Sequence, residues 1–269
     1  MLSAWKRLNY KGIRVPSGTS SHALSAVVIT RNAATQLAPC LASLDFAHEI
    51  LVIDSGSTDG TVALAQAQGA RVIEHAWLGY GRQKQFAVSH AAHDWVLCID
   101  ADERISDALR ASIVAELGSP RGFVYAMPRC NQFLGRWLRH GEGYPDWNTR
   151  LFHRAHASWS DDPVHEHVLT THSVIRLSGD LMHESAETLE RYLDKQNRYT
   201  TLQAEKMLAD GRAGGAFGLV FSPLARFVKF YLVRLGFLDG IAGLVHISIG
   251  CMNSFMKYAK LIALRKAMR

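Results

Sequence analysis

The most chemically loaded stretch of the chain is Ile99-Asp100-Ala101-Asp102-Glu103. It closes an apolar run that reads as a buried strand. Carboxylates two residues apart on a strand point the same way, and a turn there lets both face one divalent cation. Hard cations such as magnesium or manganese take oxygen ligands and bind diphosphates readily. A second acidic motif closes another apolar run, in Val52-Ile53-Asp54-Ser55-Gly56-Ser57-Thr58-Asp59-Gly60-Thr61. Asp54, at a strand end beside small turn residues, can accept hydrogen bonds from a base or ribose, and the glycines permit close backbone approach. Ser57 and Asp59 equally suit capping of the next helix. Three more carboxylates, Asp161, Asp162 and Glu166, lie in Ser160–His167. They offer either a general base or a solvated turn around Pro163.

These groups need a frame, and the hydropathy pattern supplies one. Strands are expected at Leu24–Thr30, Glu49–Asp54, Arg71–Glu74 and Asp94–Asp100. Helices are expected at 35–44 with Pro39 near the first turn, from the Ser57/Asp59 cap to Gly69, and at 82–92. Wholly apolar strands alternating with helices argue for an α/β fold with a parallel sheet covered on both faces. Polar groups gather just past the strand ends, at Thr30-Arg31-Asn32, Asp54 and Asp100–Asp102, the edge where open α/β sheets bind ligands. From 121 to 183 short β-like pieces alternate with loops rich in His, Trp, Gly and Asp. A helix is expected at 185–210, capped by Ser185, with Glu187/Arg191 and Asp194/Arg198 as i,i+4 pairs.

The paired motifs DSGSTDGT and DADE resemble those of family 2 inverting glycosyltransferases of the GT-A fold. Val28-Ile29-Thr30-Arg31-Asn32 is similar to that family's first strand, whose end lines the nucleotide pocket. The resemblance covers residues 24–210 and implies a UDP-sugar donor. It implies that Thr30, Asn32 and Asp54 line the nucleotide side, Asp54 towards uracil, with Asp59 in the same loop. Asp100 and Asp102 would serve a magnesium or manganese ion, the ribose and the diphosphate. His183 would be a third metal ligand or a structural histidine. Arg82 or Lys84 would touch the donor or be solvated at the surface. Arg150 would meet a phosphate or the acceptor, and Trp147 would stack on a sugar or sit in the core.

Inverting transfer needs a carboxylate base for the acceptor hydroxyl and positive charge for the departing diphosphate. The resemblance puts the base in the second half of the domain, where the family commonly has Glu-Asp. Here His165-Glu166 stands instead. Glu166 is favoured as the base, with Asp162 next. A closer resemblance, through Trp77–Lys84, Trp95–Glu103, Arg150-Leu151-Phe152 and Gly236–Gly240, is to bacterial lipopolysaccharide-core β-glucosyltransferases. It implies transfer of a hexose, glucose, to a lipid-linked inner-core glycan.

The charge balance agrees with this division of labour. The chain has 269 residues, 30 Lys+Arg against 24 Asp+Glu and a net charge of +6. Residues 211–269 hold nine of the basic residues and a single acidic one, Asp239, so the body is slightly acidic and does not read as a nucleic-acid binder. The expected organisation is a basic lead-in over 1–22, a GT-A domain over 23–212 and a helical tail over 213–269. The near-apolar stretch Leu235–Met256 is long enough to span a bilayer of roughly 30 Å. Its glycines, polar groups and flanking cations fit helices lying on an anionic membrane surface better; packing on the protein and a true span are the alternatives. The first residues lack the apolar core of a signal peptide. The expected place is therefore the cytoplasmic face of the bacterial inner membrane, peripherally bound. The four cysteines read as buried free thiols. Two other readings stay open: a nucleotide-sugar- or glycan-binding module without turnover, and a nucleotidyltransferase. A dinucleotide oxidoreductase is disfavoured because no GxGxxG follows the first strand, and a haloacid-dehalogenase-like phosphatase because DADE lacks Asp-x-Asp-Gly-Thr.

Overall fold

The computed structural model describes residues 22–162, 166–185, 188–211 and 215–268. Residues 1–21 of the expected lead-in, Pro163 and His165 of the acidic loop, and Glu187 of the expected Glu187/Arg191 pair lie outside the described residues. The chain begins β1 (Leu24–Thr30), α1 (Ala34–Ala42), β2 (Glu49–Asp54), α2 (Thr61–Ala67), β3 (Arg71–Glu74), α3 (Tyr80–His90) and β4 (Trp95–Asp100). There follow β5 (Glu103–Ile105), α4 (Asp107–Gly118), β6 (Val124–Phe133), β7 (Arg136–Trp137), β8 (Asp146–His153), β9 (Ala157–Trp159) and β10 (Val168–Thr170). The remainder is β11 (Val174–Arg176), β12 (Leu181–His183), α5 (Leu189–Ala209), α6 (Ala216–Phe227) and α7 (Gly240–Ala267). Two compact units result: residues up to 125 with 149–176, and residues 126–148 with 177 onward.

In the first unit β3, β2, β1 and β4 lie side by side in that order and run parallel. β8 joins antiparallel to β4, with Leu97 opposite Leu151. All seven residues of β1 are buried, as a parallel strand covered on both faces must be. Its Val27 and Ile29 pack with Leu51, Ile53, Val96, Cys98 and Phe152, and with Ala87 and Val88 of α3. The four parallel strands match the expected segments to within a residue. The order places β2 and β4 on opposite sides of β1, so the chain reverses its direction of winding at β1/β4. A crevice opens beyond the strand ends at such a switch point.

The sequence pattern missed α4. It follows the acidic motif directly, capped by Ser106, whose hydroxyl accepts from Leu109 N at 3.3 Å. Pro39 falls in the second turn of α1 rather than the first, because the helix starts at Ala34. α5 starts at Leu189 rather than at 185. Its cap is Thr188, whose Oγ1 accepts from Arg191 N at 3.3 Å.

In the second unit β6 pairs in parallel with β12 and folds back on β7 as a hairpin. The apolar stretch Leu235–Met256 opens with a turn before its long helix. α6 runs into a π-helical segment, Val228–Val233, and Leu235 then turns the chain at φ 55° into a 3-10 turn, Gly236–Asp239. Gly236 is required there, since a Cβ would lie 2.7 Å from Phe230 O. Asp239 is buried and accepts from Arg139 N at 3.2 Å and His140 N at 2.9 Å. α7 and this turn are long and apolar enough, by length and composition, to cross a membrane. Gly243, Ile247, Gly250, Ser254 and Leu261 of α7 are buried at helical spacing, and α7 packs on α5 and α6.

Candidate active site

The site grows from the ends of β1, β2 and β4. Register sets Thr30 opposite Asp54 and Ile29 opposite Asp100, so the polar groups closing the three strands come out level. Asp54 is 1% exposed. Its Oδ2 accepts from Gly56 N at 3.0 Å and Ser57 N at 2.8 Å, and its Oδ1 from Ser57 Oγ at 2.5 Å and Thr30 Oγ1 at 3.0 Å. A carboxylate offers about four acceptor positions, and all are taken. Sequence alone suggested a strand-end carboxylate open to a ligand; the structure has Asp54 holding the turn 55–57 in shape, with Gly56 at φ 79°.

The loops after β1 and β2 are stitched together. Asn32 N donates to Ser57 Oγ at 2.8 Å, and Asn32 Oδ1 accepts from Thr58 N at 2.8 Å. Asp59 accepts from Thr61 N at 3.1 Å and from Ala34 N at 3.1 Å. Asp59 thus braces the turn into α2 from the position before its N-cap, Gly60, which has no side-chain cap, and ties down the start of α1.

Asp100 ends β4, and Asp102 lies half-buried in the turn before β5. Asp100 Oδ2 accepts from Arg150 Nη2 at 2.8 Å and from Lys84 Nζ at 3.3 Å. Its Oδ1 lies 3.1 Å from Lys84 Nζ but is buried and receives no aligned hydrogen bond. The same Arg150 Nη2 donates to Glu103 Oε1 at 2.8 Å, and Glu103 Oε2 accepts from Asp100 N at 3.0 Å. Burial pushes the Asp100 carboxyl up, but Arg150 and Lys84 outweigh it and hold the group well below the usual carboxylate range. Burial likewise pulls Arg150 down, and Asp100 and Glu103 more than offset it. Arg150 is 4% exposed and is not open to a donor in this state.

Lys84 is the hub. It comes from α3, is 3% exposed, and its Nζ also lies 3.4 Å from Glu166 Oε1 and 4.8 Å over the Trp159 ring. One ammonium therefore joins the strand-end motif to the carboxylate favoured as base, which lies 82 residues after Lys84 in the chain. Gly81 lets this loop approach α3, since a Cβ there would collide with Ser160 O and sit 3.4 Å from Glu166 Cβ. Gln83, also buried, donates from Nε2 to Ser55 Oγ at 3.1 Å and so ties α3 to the β2 turn.

The remaining sequence-selected residues make other contacts. Arg82 is paired with Asp161, Nη2 to Oδ2 at 2.6 Å, with both side chains exposed. Asp162 is exposed and lines a cavity of about 390 Å³ with Leu78, Tyr80, Arg82 and Asp161. Trp147 and His183 belong to the second unit; Trp147 is exposed, and His183 Nδ1 lies 2.7 Å from Asn131 Oδ1. Among the described residues no three His, Cys, Asp or Glu side chains converge as a metal cage. Magnesium, however, is commonly held by one or two carboxylates plus substrate phosphates. Asp102, with the unaligned Oδ1 of Asp100, fits such a cation completed by a diphosphate.

Sequence reading missed the linking role of Lys84 and the partnership of Arg150 with Glu103. A signal for the first was present: Lys84 stands four residues before Val88, on the apolar face of α3, where an ammonium needs buried partners.

Comparison with known proteins supplies the family. The family model described as glycosyl transferase family 2 matches residues 25–176. A lipopolysaccharide core biosynthesis glycosyltransferase, LpsC, of Rhizobium meliloti is 30% identical over 246 residues, covering 88% of this chain and 91% of that protein. An uncharacterized glycosyltransferase of Rickettsia felis is 30% identical over 259 residues, covering 88% and 89%. The crystal structure of S. aureus TarS 1-349 overlays with a TM-score of 0.47 at 14% identity, covering 91% of this chain and 92% of that one. The chain belongs to glycosyl transferase family 2, with an α/β domain of the GT-A type.

Proposed function

We propose that this protein transfers a hexose, glucose, from a UDP-sugar to a lipid-linked glycan, the inner core of lipopolysaccharide, with inversion at the anomeric carbon. The observation that carries the reading is Lys84, which holds Asp100 and Glu166 on one ammonium. It supports a donor site and a base that share one pocket wall. The likeness to LpsC supports the acceptor class.

In this mechanism the loops carrying Thr30, Asn32 and Asp59, shaped from beneath by Asp54, receive the nucleotide. Asp100 and Asp102 face the ribose and diphosphate. They would hold a divalent cation together with the diphosphate, and that ion would supply positive charge against its departure. Glu166 takes the proton of the acceptor hydroxyl as that oxygen bonds to the anomeric carbon. The bond from that carbon to the diphosphate oxygen breaks on the opposite face, and its electron pair leaves with UDP. Lys84 adds fixed positive charge beside this event. Arg150 is a positioning residue, acting through Asp100 and Glu103. Asp162 is the alternative base. Arg82, paired to Asp161, orders the neighbouring loop.

The place of action is the cytoplasmic face of the inner membrane, bound without spanning it. Phe217, Val220, Phe221 and Leu224 are exposed at 50–70% along one face of α6. Val228, Leu232, Val233 and Ile241 further along are exposed too, in a segment that also holds Lys229 and Arg234. An apolar stripe beside cations suits anionic lipid.

The test is a transfer assay with a panel of UDP-sugars on bacterial lipid extracts, with manganese or magnesium, read by mass spectrometry. A hexose added to a core glycan supports the reading. Donor binding with no turnover on any extract points to a binding module. Pyrophosphate release from a nucleoside triphosphate points to a nucleotidyltransferase.

A further inference from the structure

Between β3 and α3 the chain carries Trp77, Leu78 and Tyr80, which are 42%, 44% and 55% exposed. Single apolar residues on a surface need no explanation, but a cluster of large ones marks a place where something binds. The loop that carries them is held in one shape. Leu78 N donates to Oε1 of the buried Gln83 at 3.3 Å. At the loop's start the ring of His75 lies 3.9 Å from that of Phe86 on α3. Gly79 has φ 94° and ψ 157°, a region essentially closed to any residue with a Cβ. Trp77 and Tyr80 meet edge to face at 4.9 Å, an arrangement that aromatic pairs prefer. A loop fixed at this many points, yet with its rings turned outward, is pre-organised for a ligand.

Leu78 and Tyr80 line the cavity of about 390 Å³, within the size range of small-molecule sites. Arg82, Asp161 and Asp162 supply its polar groups, and Gly79 and Gly81 complete the wall without side chains. All of these residues belong to the first unit. Among the described lining residues Arg82 is the single cation, and it is already paired with Asp161, Nη2 to Oδ2 at 2.6 Å. One cation against two carboxylates disfavours an anionic occupant and offers acceptors to hydroxyl groups. Gly81 joins the cavity to the base. It lines the cavity, and a Cβ on it would collide with Ser160 O and come within 3.4 Å of Glu166 Cβ.

An aromatic ring suits the C–H face of a pyranose, and carboxylates suit its hydroxyls. We propose that this cavity binds a neutral sugar of the glycan acceptor, the one next in line to the sugar that reacts. Tyr80, steadied by Trp77, lies against the pyranose, and Asp161 and Asp162 accept hydrogen bonds from its hydroxyls. Glu166 stands beside the wall without lining the cavity among the described residues, so the cavity takes the neighbouring sugar and leaves the reacting one to the base. This rests on the glycosyltransferase reading above, to which it adds a saccharide subsite and a source of acceptor specificity. Tyr80 and Trp77 are specificity residues, since neither touches the reacting atoms.

The probes are methyl glucoside, methyl mannoside and glucuronate at millimolar concentration, titrated onto the full chain by ligand-observed NMR, with UDP titrated onto the same samples. At least one neutral glycoside is expected to bind, about fivefold more tightly than glucuronate. Tyr80→Ala should weaken that sugar about tenfold, Tyr80→Phe should keep it, and both variants should bind UDP as the wild type does. UDP binding without any sugar binding overturns the inference alone. Sugar binding without UDP binding refutes the donor reading and leaves the subsite standing, and binding of neither overturns both. Glucuronate bound as tightly as the neutral glycosides overturns the assignment to a neutral sugar. Unchanged sugar affinity in Tyr80→Ala overturns the proposal, and a parallel loss of anionic-vesicle sedimentation would then give these rings to lipid. Equal weakening of UDP and sugar overturns it too, in favour of the donor. Should Tyr80→Ala not fold, Trp77→Ala decides on the same criteria.

Discussion

Replacing Arg150 with methionine tests the charge arrangement under the acidic motif. The substitution keeps bulk and removes the guanidinium that Asp100 and Glu103 share, each at 2.8 Å. Glu103 is fully buried, and the Asp100 side chain is 27% exposed. Removing one partner from a buried ion pair costs about 3–5 kcal/mol. Asp100 keeps Lys84 and some solvent, so the lower end applies, about 3 kcal/mol. A domain of this size loses 2–4 °C per kcal/mol, so the midpoint should fall by about 6–12 °C. The pH dependence carries a sign. In the wild type Asp100 is held below its ordinary value, so its contribution is full above the unfolded pKa of about 3.9. That contribution is lost as the pH falls through the lower folded value. Without Arg150 the burial that pushes Asp100 up is opposed only by Lys84, and protonation then relieves the variant. The stability gap should therefore be widest at pH 7 and narrow towards pH 4. Urea unfolding of both proteins at pH 7, 5.5 and 4.5 measures it. A gap below about 1 kcal/mol at pH 7, or one that stays constant on acidification, would refute the reasoning.

Four further outcomes are expected. Asp102→Ala should abolish metal-dependent donor binding, whereas Glu166→Gln should keep donor binding and reduce transfer by at least a hundredfold; transfer by Glu166→Gln at the wild-type rate would move the base to Asp162. Gly81→Ala should lower turnover although alanine is the better helix former by about 1 kcal/mol, because the new methyl meets Ser160 O and shifts the loop carrying Glu166; full activity with raised stability would show that the loop gives way at no cost. Phe217→Asp with Phe221→Asp, at positions 70% and 50% exposed, should weaken sedimentation with anionic vesicles at least tenfold and leave the unfolding midpoint near the wild-type value; unchanged vesicle binding would remove the α6 stripe from the membrane reading.

Much of the scaffold was legible because its signals are local. β1 and β2 are short, β-branched and apolar, bounded by turn chemistry, and they stand where the pattern put them. Asp54, Asp100 and Asp102 were found because carboxylates directly after buried strands are costly unless used. α4 was hard to read because its cap, Ser106, follows the acidic motif with only a three-residue strand between, and its buried face includes the carboxylate Glu116. The apolar stretch from Leu235 opens with a turn before α7, because composition registers hydropathy but not the left-handed residue at Leu235 or the partners of Asp239.

The sequence by itself determined the alternation of strands and helices, the acidic strand ends, the family resemblance and the basic, apolar character of the last 59 residues. Tertiary structure alone decided what those charges do. Asp54 turned out saturated and Arg150 enclosed, while Lys84 bridges residues 16 and 82 positions away. The physical reason is that burial and ion pairing depend on which groups meet in space. A carboxylate is a ligand, a turn brace or a salt-bridge partner according to neighbours that the chain brings in from far along its length.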